Sequence, residues 1–480
     1  MILNSPDSAE KFKEQGNEQF KLSNFQKAIE FYTAGIEIGT GNQRLLCLSN
    51  RAFAHIKMEN YGLAINDADE ILKEDPRFIK AYYRKGSAYL LLSKFDDARK
   101  EFKKADSLTQ GKDEDIQAKL KQIKQAIFER EFAKSIERPD EASEPIDIKD
   151  ICVEQGYDGP RIDNDISEVT PEWCEKLMNH FKDQKKLHKK YAVMILQKVG
   201  EIMKSQQNVV EYDVPKDLEF TVCGDTHGQY FDLLNIFKIN GNPSIKRPYL
   251  FNGDFVDRGS WSVEVIMTLF AWKVCNPDIM HLTRGNHESR NMNKLYGFEG
   301  EVKHKYDDKV YELFQTVFTY LPLAYTLSKQ VMVVHGGLFS NDGVTINELQ
   351  KLNRFRDIPE GGPMADMLWS DPIKQNGRHP SKRGISISFG PDIAHKFLNE
   401  NGLSLLVRSH EMKDQGYEVE ADGRVITIFS APNYCDQMKN KGAFIIFKGG
   451  EMKPKFVQFD AVEHPKLPPM AYARNYGMFM

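Results

Sequence analysis

Three segments near the N-terminus repeat one pattern at a nearly constant interval, which restricts this part of the chain to a stack of similar units. The segments read GNEQFKLSNFQKAIEFY, AFAHIKMENYGLAINDA and GSAYLLLSKFDDARKEF. Each contains an aromatic residue followed three positions later by an alanine, and the alanines at 28, 64 and 98 are 36 and 34 residues apart. One such unit cannot bury its own apolar face, so we expect the three units to stack and share a core.

This period is that of the tetratricopeptide repeat, a pair of antiparallel helices. Gly16, Ala52 and Gly86 stand twelve residues before the three alanines, and small residues there allow two helices to approach closely. We therefore predict three repeats over 5–110, and a capping helix and linker over 111–160. The polar, proline-containing stretch 137–145 is typical of an exposed linker.

The first helix of each predicted repeat carries cationic or amide side chains. Lys13 and Asn17 are four residues apart, as are Lys80 and Arg84, so each pair shares a helix face, and Asn50 lies on the equivalent helix of the second repeat. Any one of these residues alone is more simply a solvated surface group. Together the five donors suit carboxylates, and they resemble the carboxylate clamp of chaperone-binding repeat domains. That resemblance implies docking of an acidic C-terminal peptide, the tail of heat shock protein 90.

The sequence pattern changes from about residue 170. Short apolar runs follow from there, and each ends at a polar cluster. Each run has the length of a buried strand. Polar strand ends gather at one edge of a sheet in α/β proteins, which predicts an α/β domain over 161–470 with its site at that edge. The residues in these polar clusters are Asp225, His227, Asp254, Asp257, Arg258, Asn286, His287, His335, His410 and Tyr434.

The candidate ligands in these clusters are two aspartates, three histidines and an asparagine, without a thiolate. Such ligands suit manganese, iron, zinc or magnesium better than a soft metal. Six ligands are too many for one ordinary site, so the simplest interpretation is two divalent ions bridged by Asp254. A single histidine is more often a core residue whose hydrogen bonds are all made. Five polar sequence blocks in this order favour a metal centre instead.

The blocks GDTHG, GDFVDRG, GNHE, HGG and SAPNYCD resemble the motifs of the phosphoprotein phosphatase family, over about 183–469. The resemblance implies a multidomain chain: an all-α tetratricopeptide-repeat solenoid followed by an α/β metallophosphoesterase domain with a central β-sandwich flanked by helices. It also implies a metal-dependent serine/threonine protein phosphatase whose substrates are phosphoproteins.

The resemblance further implies a role for each residue. Two divalent metal ions per subunit are expected, manganese first, with iron, zinc or magnesium also compatible. One metal would be held by Asp225, His227 and Asp254, and the other by Asp254, Asn286, His335 and His410. A water between the ions would lose its proton and attack phosphorus directly. The substrate phosphate would be bound by Arg258, Asn286, Arg383 and Tyr434. His287, oriented by Asp257, would protonate the leaving alkoxide.

The resemblance implies regulation as well. In that family the repeat domain covers and restrains the active site, and binding of a peptide or a fatty acid releases it. We expect Glu59, between the helices of the second repeat, to reach toward Arg258 and occupy a phosphate subsite. The alternative is an exposed turn glutamate. The tail 471–480 is interpreted either as an autoinhibitory terminal helix or as a frayed end.

Composition excludes several other functions. The net charge of -4 does not suggest a nucleic-acid binder, and no apolar run reaches membrane-spanning length. The six cysteines form no CxxC pair, which favours a reducing compartment, and we expect a cytoplasmic and nuclear monomer. No arginine stands six residues after any cysteine, which excludes a cysteine-dependent phosphatase.

Two competing interpretations remain. A scaffold with a dead catalytic domain would require a missing ligand, and every expected position is filled. A related esterase acting on nucleotides or phosphodiesters would share the metal core, but Arg258, Arg383 and the SAPNY segment favour a phosphoprotein site.

Overall fold

The structure is a computed structural model that describes residues 6–136 and 146–473. The chain forms two units: the first comprises Met1–Glu141 with Pro380–Ile385, and the second comprises Ala142–His379 with Ser386–Met480. The helices of the first unit are α1 (Pro6–Lys21), α2 (Phe25–Ile38), α3 (Gly41–Lys57), α4 (Tyr61–Glu74), α5 (Ile79–Leu91), α6 (Phe95–Thr109) and α7 (Glu114–Ile136).

The helices α1 to α6 form three consecutive antiparallel pairs, which confirms the predicted repeats. The repeated aromatic residues open the second helix of each pair and are buried, and the repeated alanines are fully buried. The small residue on the first helix has a direct steric reason. A Cβ atom at Gly16 would lie 2.4 Å from Cε1 of Tyr32 on the facing helix, closer than real side chains approach.

The turn inside each repeat contains one residue in the left-handed backbone region. These residues are Ser23 (φ 59°), Glu59 (φ 61°) and Ser93 (φ 57°). Left-handed backbone costs an L-residue roughly 1–2 kcal/mol, and the same conformation recurs at all three turns because each joins the same pair of helices. Glu59 is therefore the acidic member of a set whose other two members are serines.

The helix α7 closes the stack by burying Ile116 and Ile123. Gln117 on α7 donates a 2.5 Å hydrogen bond to Asp106 at the end of α6. The predicted linker 137–145 lies outside the described residues, as do residues 474–480 of the predicted autoinhibitory tail.

The second unit contains ten further helices and the strands of three sheets within its described residues. The helices are α8 (Pro171–Lys182), α9 (Lys189–Lys204), α10 (Tyr230–Asn240), α11 (Ser262–Cys275), α12 (Arg290–Tyr296), α13 (Phe298–Lys305), α14 (Asp308–Tyr320), α15 (Ile346–Leu349), α16 (Pro363–Trp369) and α17 (Pro391–Glu400). The strands are β1 (Val209–Tyr212), β2 (Glu219–Cys223), β3 (Tyr249–Phe251), β4 (Met280–Leu282), β5 (Ala324–Leu327), β6 (Val331–Val334), β7 (Asp371–Pro372), β8 (Arg378–Pro380), β9 (Ile387–Phe389), β10 (Leu405–Arg408), β11 (Tyr417–Glu420), β12 (Val425–Ile428), β13 (Gly442–Lys448) and β14 (Pro454–Phe459).

Two large sheets pack face to face, which confirms the predicted sandwich. One has the order β1-β5-β6-β10-β12-β11 and the other β14-β13-β2-β3-β4, and a small third sheet has the order β7-β9-β8. Side chains alternate along the strands, so Val222 and Leu250 face the inter-sheet core, whereas Cys223 and Phe251 face the core formed with helices α8, α9, α11 and α14.

The parallel strands decide where the polar clusters lie. The strands β2, β3 and β4 are parallel neighbours, as are β6, β10 and β12. Asp225, just past β2, forms an isolated parallel bridge with Phe429, just past β12 and in line with the other sheet. The carboxyl ends of both sets of strands therefore meet at one edge of the sandwich. None of the described helices combines the length and apolar composition of a bilayer span.

Candidate metal centre and peptide clamp

The candidate ligands follow directly on the strands that carry them. Asp225 comes two residues after β2, Asp254 three after β3, Asn286 four after β4, His335 immediately after β6 and His410 two after β10. Several residues of these loops have positive φ although they are not glycine. They are His227 (φ 40°), Asp254 (φ 51°), Asp257 (φ 71°), Arg258 (φ 69°) and His410 (φ 70°). Such strain persists only where surrounding structure imposes it, and it concentrates at functional sites.

The ligand atoms gather into two buried groups that share one residue. His227, Asp254 and His287 form the first group, and Asp254, His335 and His410 form the second. Within each group the candidate ligand atoms lie within 4.8 Å of one another. Oδ2 of Asp254 is 3.5 Å from Nε2 of His227 and 3.3 Å from Nε2 of His335. Asp254 is therefore the residue common to both groups.

The backbone decides which histidine nitrogens face the carboxylates. Nδ1 of His227 lies 3.0 Å from the carbonyl oxygen of Val256, and Nδ1 of His335 lies 2.8 Å from that of Asn252. A carbonyl oxygen only accepts, so Nδ1 carries the proton in both rings and Nε2 presents a lone pair. Both lone pairs then face Asp254, an arrangement that a cation between them would make favourable.

Burial disfavours the charged forms of the titratable groups at this edge of the sandwich. Burial raises the pKa of the Asp225 carboxyl to about 8, and the nearby charge of Asp254 adds to this rise. Burial also raises the pKa of Glu288 to about 8 and lowers that of His335. A buried carboxylate needs a nearby positive charge to be stable, and neutral imidazoles do not provide one. Divalent cations bound by these oxygen and nitrogen atoms would supply that charge, so the residues fit a metal centre.

The structure also brings the remaining predicted ligands close together. Oδ1 of Asn286 lies 2.9 Å from Nε2 of His335, and Nδ1 of His410 lies 3.2 Å from the same nitrogen. The backbone N–H of His410 donates to Oδ1 of Asp225 at 3.1 Å. Asn286, His335, His410 and Asp225 are thus neighbours around one position.

His287 lies beside the metal-ligand residues and has a carboxylate partner of its own. Its backbone N–H donates to Oδ1 of Asp254 at 2.9 Å, and its Nδ1 lies 2.9 Å from Oδ2 of Asp257. Asp257 is held in turn by Nδ2 of Asn293 and by the backbone N–H of Phe298, each at 2.9 Å. Burial raises the pKa of Asp257 to about 7.

The predicted phosphate-binding residues have different surroundings. The Arg258 guanidinium lies over the Tyr296 ring, 3.9 Å from its centroid. The buried Tyr434 ring packs 5.2 Å, centroid to centroid, from that of His227. Arg383 belongs to the segment that groups with the first unit. There it lies 3.8 Å from the Glu59 carboxylate, and the neighbouring Lys382 carbonyl accepts a hydrogen bond from the Leu63 N–H.

Sequence reasoning missed the residues that support the ligands. Glu288 accepts three backbone hydrogen bonds of 2.8 Å, from Asp254, Phe255 and Gly285, and so fixes two of the ligand loops. Glu288 is the last residue of the GNHE block, so its place in that motif could have identified it as part of the site. Asn252 orients His335 through its carbonyl and bonds Ser409 through its amide, and no local pattern marks it.

In the first unit, the predicted clamp residues join three helices. Nδ2 of Asn50 on α3 donates to Oδ1 of Asn17 on α1 at 3.0 Å. The guanidinium of Arg84 on α5 lies 3.8 Å from the centroid of the Phe53 ring on α3. Lys13 pairs with Glu10 at 2.5 Å, and Lys80 is exposed. Burial lowers the pKa of Arg84 to about 10, and its buried Nε finds no hydrogen-bond acceptor among the described residues.

Helical repeats followed by a sandwich with two histidine–carboxylate groups define a metallophosphoesterase with an N-terminal repeat domain. Family models agree: one described as Calcineurin-like phosphoesterase matches residues 218–414, and one described as Tetratricopeptide repeat matches residues 79–111. A third, described as PPP5 TPR repeat region, matches residues 120–211.

Individual proteins extend this similarity over nearly the whole chain. Serine/threonine-protein phosphatase T of Trypanosoma brucei brucei is 52% identical over 98% of this chain and 99% of its own length. Human serine/threonine-protein phosphatase 5 is 47% identical over 97% of this chain and 93% of its own length. A solved serine/threonine phosphatase from Saccharomyces cerevisiae, described as similar to human PP5, is 41% identical, covers 63% of this chain and 100% of its own, and has a TM-score of 0.61.

The chain belongs to the family of serine/threonine-protein phosphatases 5 and T. It is a protein-serine/threonine phosphatase with a metallophosphoesterase domain. The family implies divalent metal ions, and the buried residues around Asp254 are the candidates for holding them. His287 is near enough to count among these residues, but its Nδ1 is held by Asp257.

Proposed function

We propose that this phosphatase removes phosphate from phosphoserine and phosphothreonine in proteins by direct hydrolysis, with two divalent metal ions that Asp254 and its neighbours would hold. The observation that carries the proposal is the position of Asp254, whose Oδ2 faces the Nε2 atoms of both His227 and His335. The centre would use Asp225, His227 and Asp254 on one side, and Asp254, Asn286, His335 and His410 on the other. Two divalent cations held there would acidify water and neutralise phosphate charge.

The chain's own residues would manage the proton that the leaving group needs. A serine or threonine alkoxide is a poor leaving group and has to be protonated. The Asp257 carboxylate accepts from Nδ1 of His287, which leaves Nε2 as the nitrogen that gives up a proton. Asn293 and Phe298 hold Asp257 in place. The proton donor, His287, is therefore oriented before substrate binds.

Phosphate recognition would rest mainly on arginine. The planar guanidinium group binds phosphate in a bidentate manner, and we assign this role to Arg258 and Arg383, with Asn286 and Tyr434 contributing. Stacking of Arg258 on Tyr296 limits the positions that its side chain can adopt, which reduces the entropy lost when phosphate binds.

We further propose that the repeat domain docks an acidic C-terminal peptide, such as the tail of heat shock protein 90. Arg84 supports this role because its buried Nε lacks an acceptor among the described residues, and a peptide carboxylate would provide one. The Asn17–Asn50 bond and the residues Lys13 and Lys80 complete the clamp.

The same domain would restrain the enzyme through Glu59. Its carboxylate lies 3.8 Å from Arg383 within the first unit, so it would compete with substrate phosphate for that arginine. The expected approach of Glu59 to Arg258 stays a prediction. Release by a fatty acid, the monomeric state and a cytoplasmic and nuclear location remain predictions.

The substrate class can be tested on the full-length protein. The protein is stripped with a chelator, reloaded with manganese, and assayed on a phosphoserine peptide and on bis(p-nitrophenyl) phosphate. We expect manganese-dependent hydrolysis of the phosphopeptide and little hydrolysis of the diester. Preference for the diester would favour a phosphodiesterase, and no turnover of either would favour a scaffold.

The metal centre can be tested with Asp254→Asn, which should lose both bound metal and turnover. Asp217→Asn changes an exposed aspartate outside the site and serves as the control. Retention of two metal ions per chain by Asp254→Asn would contradict the role of Asp254 in holding them.

A further inference from the structure

Two cysteines outside the metal centre lie at the contact between α8 and α11. Cys174 is on α8, and Cys275 is the last residue of α11. The two helices are joined by a 3.4 Å hydrogen bond from Nε1 of Trp272 to Sδ of Met178. Cys174 stands four residues before Met178 and Cys275 three residues after Trp272, so each cysteine shares a helix face with one member of this bonded pair. At the other end of this contact, Nε1 of Trp261 donates to Oε1 of Gln184 at 2.9 Å, so α8 and α11 run antiparallel and the two cysteines lie at the same end of the helix pair. Each thiol is also close enough to shift the pKa of the other.

The two thiols have different surroundings. Cys174 is 1% exposed and belongs to the core beneath the helices, whereas Cys275 is partly exposed at the margin of that core. The neighbouring Cys174 thiol lowers the pKa of Cys275, while burial raises the pKa of Cys174. Cys275 is therefore the thiol that reagents in solution can reach and the one richer in thiolate, the reactive form.

We propose that Cys174 and Cys275 are a peroxide-responsive pair that forms a reversible disulfide, with Cys275 reacting first and Cys174 resolving. The Cys275 thiolate attacks one oxygen of hydrogen peroxide, the O–O bond breaks, and Cys275 becomes a sulfenic acid as hydroxide leaves and takes up a proton to form water. The Cys174 sulfur then attacks the Cys275 sulfur, the S–O bond breaks, and a second water leaves with the Cys174 proton. Two thiols are oxidised and one peroxide is reduced.

A disulfide between these two cysteines would constrain the helix that supports the Asp257 loop. The helix α11 starts at Ser262, whose Oγ accepts a 3.0 Å hydrogen bond from the backbone N–H of Asp257. A disulfide would tie α8 to the far end of the helix that supports the Asp257 loop. It would also close a long loop, from residue 174 to residue 275, in the unfolded chain, which stabilises the folded state.

The test uses the full-length protein treated with hydrogen peroxide, followed by alkylation of free thiols, intact mass measurement and peptide mapping. We expect the loss of two of the six thiols, a peptide pair linked through 174 and 275, and a higher melting temperature. Dithiothreitol should reverse all three changes. Cys275→Ser should abolish the cross-link, and Cys174→Ser should leave a sulfenic acid at Cys275 that dimedone captures. Cys152→Ser changes an exposed cysteine and should cross-link like the wild type.

Two results would overturn the proposal: Cys174 that stays fully alkylated after peroxide, or Cys275 linked to a different cysteine. Both are read from the wild-type peptide map, so the test holds even if a serine variant does not fold.

Discussion

Nδ1 of His287 lies 2.9 Å from Oδ2 of Asp257, and both side chains are buried. The histidine is thereby held in one orientation by a carboxylate that is itself fixed by Asn293 and Phe298. A proton donor needs this kind of support, because general acid catalysis depends on position before it depends on pKa.

His287→Gln should lower kcat on a phosphoserine peptide by about 10²–10⁴, the range for losing a general acid. The loss on p-nitrophenyl phosphate should be far smaller, because nitrophenolate leaves without a proton. Steady-state kinetics on both substrates measure this difference. His395→Gln on α17 is the control, and equal losses on the two substrates would exclude the acid role.

Glu288→Gln should weaken manganese binding by roughly 10–100-fold, the usual effect of losing a residue that orients metal ligands. Glutamine keeps the shape but has one acceptor oxygen for the three backbone donors that Glu288 now serves. Calorimetric titration of the metal-free protein reports the affinity. Glu299→Gln, which changes a largely buried glutamate paired with Lys303, is the matched control. An unchanged manganese affinity would show that Glu288 serves the fold alone.

Arg84→Ala should reduce the affinity for an acidic peptide with a free C-terminal carboxylate by tenfold or more. A hydrogen bond to a charged group contributes about 1.5–3 kcal/mol, and Arg84 has a buried donor available for it. Fluorescence anisotropy with a labelled peptide measures the change. Arg99→Ala removes an exposed arginine of α6 and should bind like the wild type. Equal affinities for the two variants would place the peptide elsewhere.

Glu59→Gln should raise the basal turnover of the full-length enzyme without peptide or fatty acid. The substitution removes the charge that faces Arg383 and keeps the side-chain length. Initial rates on a phosphopeptide measure the effect. Ser93→Ala, at the equivalent turn of the third repeat, should leave basal turnover unchanged. An unaltered rate for Glu59→Gln would remove this glutamate from the restraint.

Lys273→Met should raise the melting temperature near pH 7, and the gain should shrink as the pH rises. Burial lowers the pKa of Lys273 from 10.5 to about 7 in the folded protein, so the unfolded chain binds more protons between these values and wild-type stability rises with pH. The difference in unfolding free energy between the two proteins should narrow by about 1.4 kcal/mol per pH unit across that window. Thermal denaturation of both proteins between pH 6 and pH 10 measures this difference. A gain that did not vary with pH would show that the lysine stays charged when folded.

Much of the architecture could be predicted because its causes are local. Alanines spaced 36 and 34 residues apart, each with a small residue twelve positions earlier, specify helix pairs that pack closely. The contact of Gly16 with Tyr32 is one example. Short apolar runs ending in Asp225, Asp254 or His335 specify buried strands with polar ends. Local backbone geometry sets the spacing of side chains along a helix or strand, and the sequence displays that spacing directly.

The arrangement around those residues depends on segments that are distant in the chain. Asn252 sets the proton position of His335 from 83 residues away, and Glu288 holds Asp254 from 34 residues away. No spacing rule predicts such distances, because they result from how sheets and helices pack around a common core.

The cysteines show the same division. The sequence by itself determined that six scattered cysteines form neither a CxxC pair nor a cysteine-phosphatase motif, because both patterns are local. Only the tertiary structure decided that Cys174 and Cys275 meet, because the contact arises where α8 packs on α11 across a hundred residues of chain. Local order follows from the residues themselves, whereas proximity between distant segments follows from the shared core that buries them.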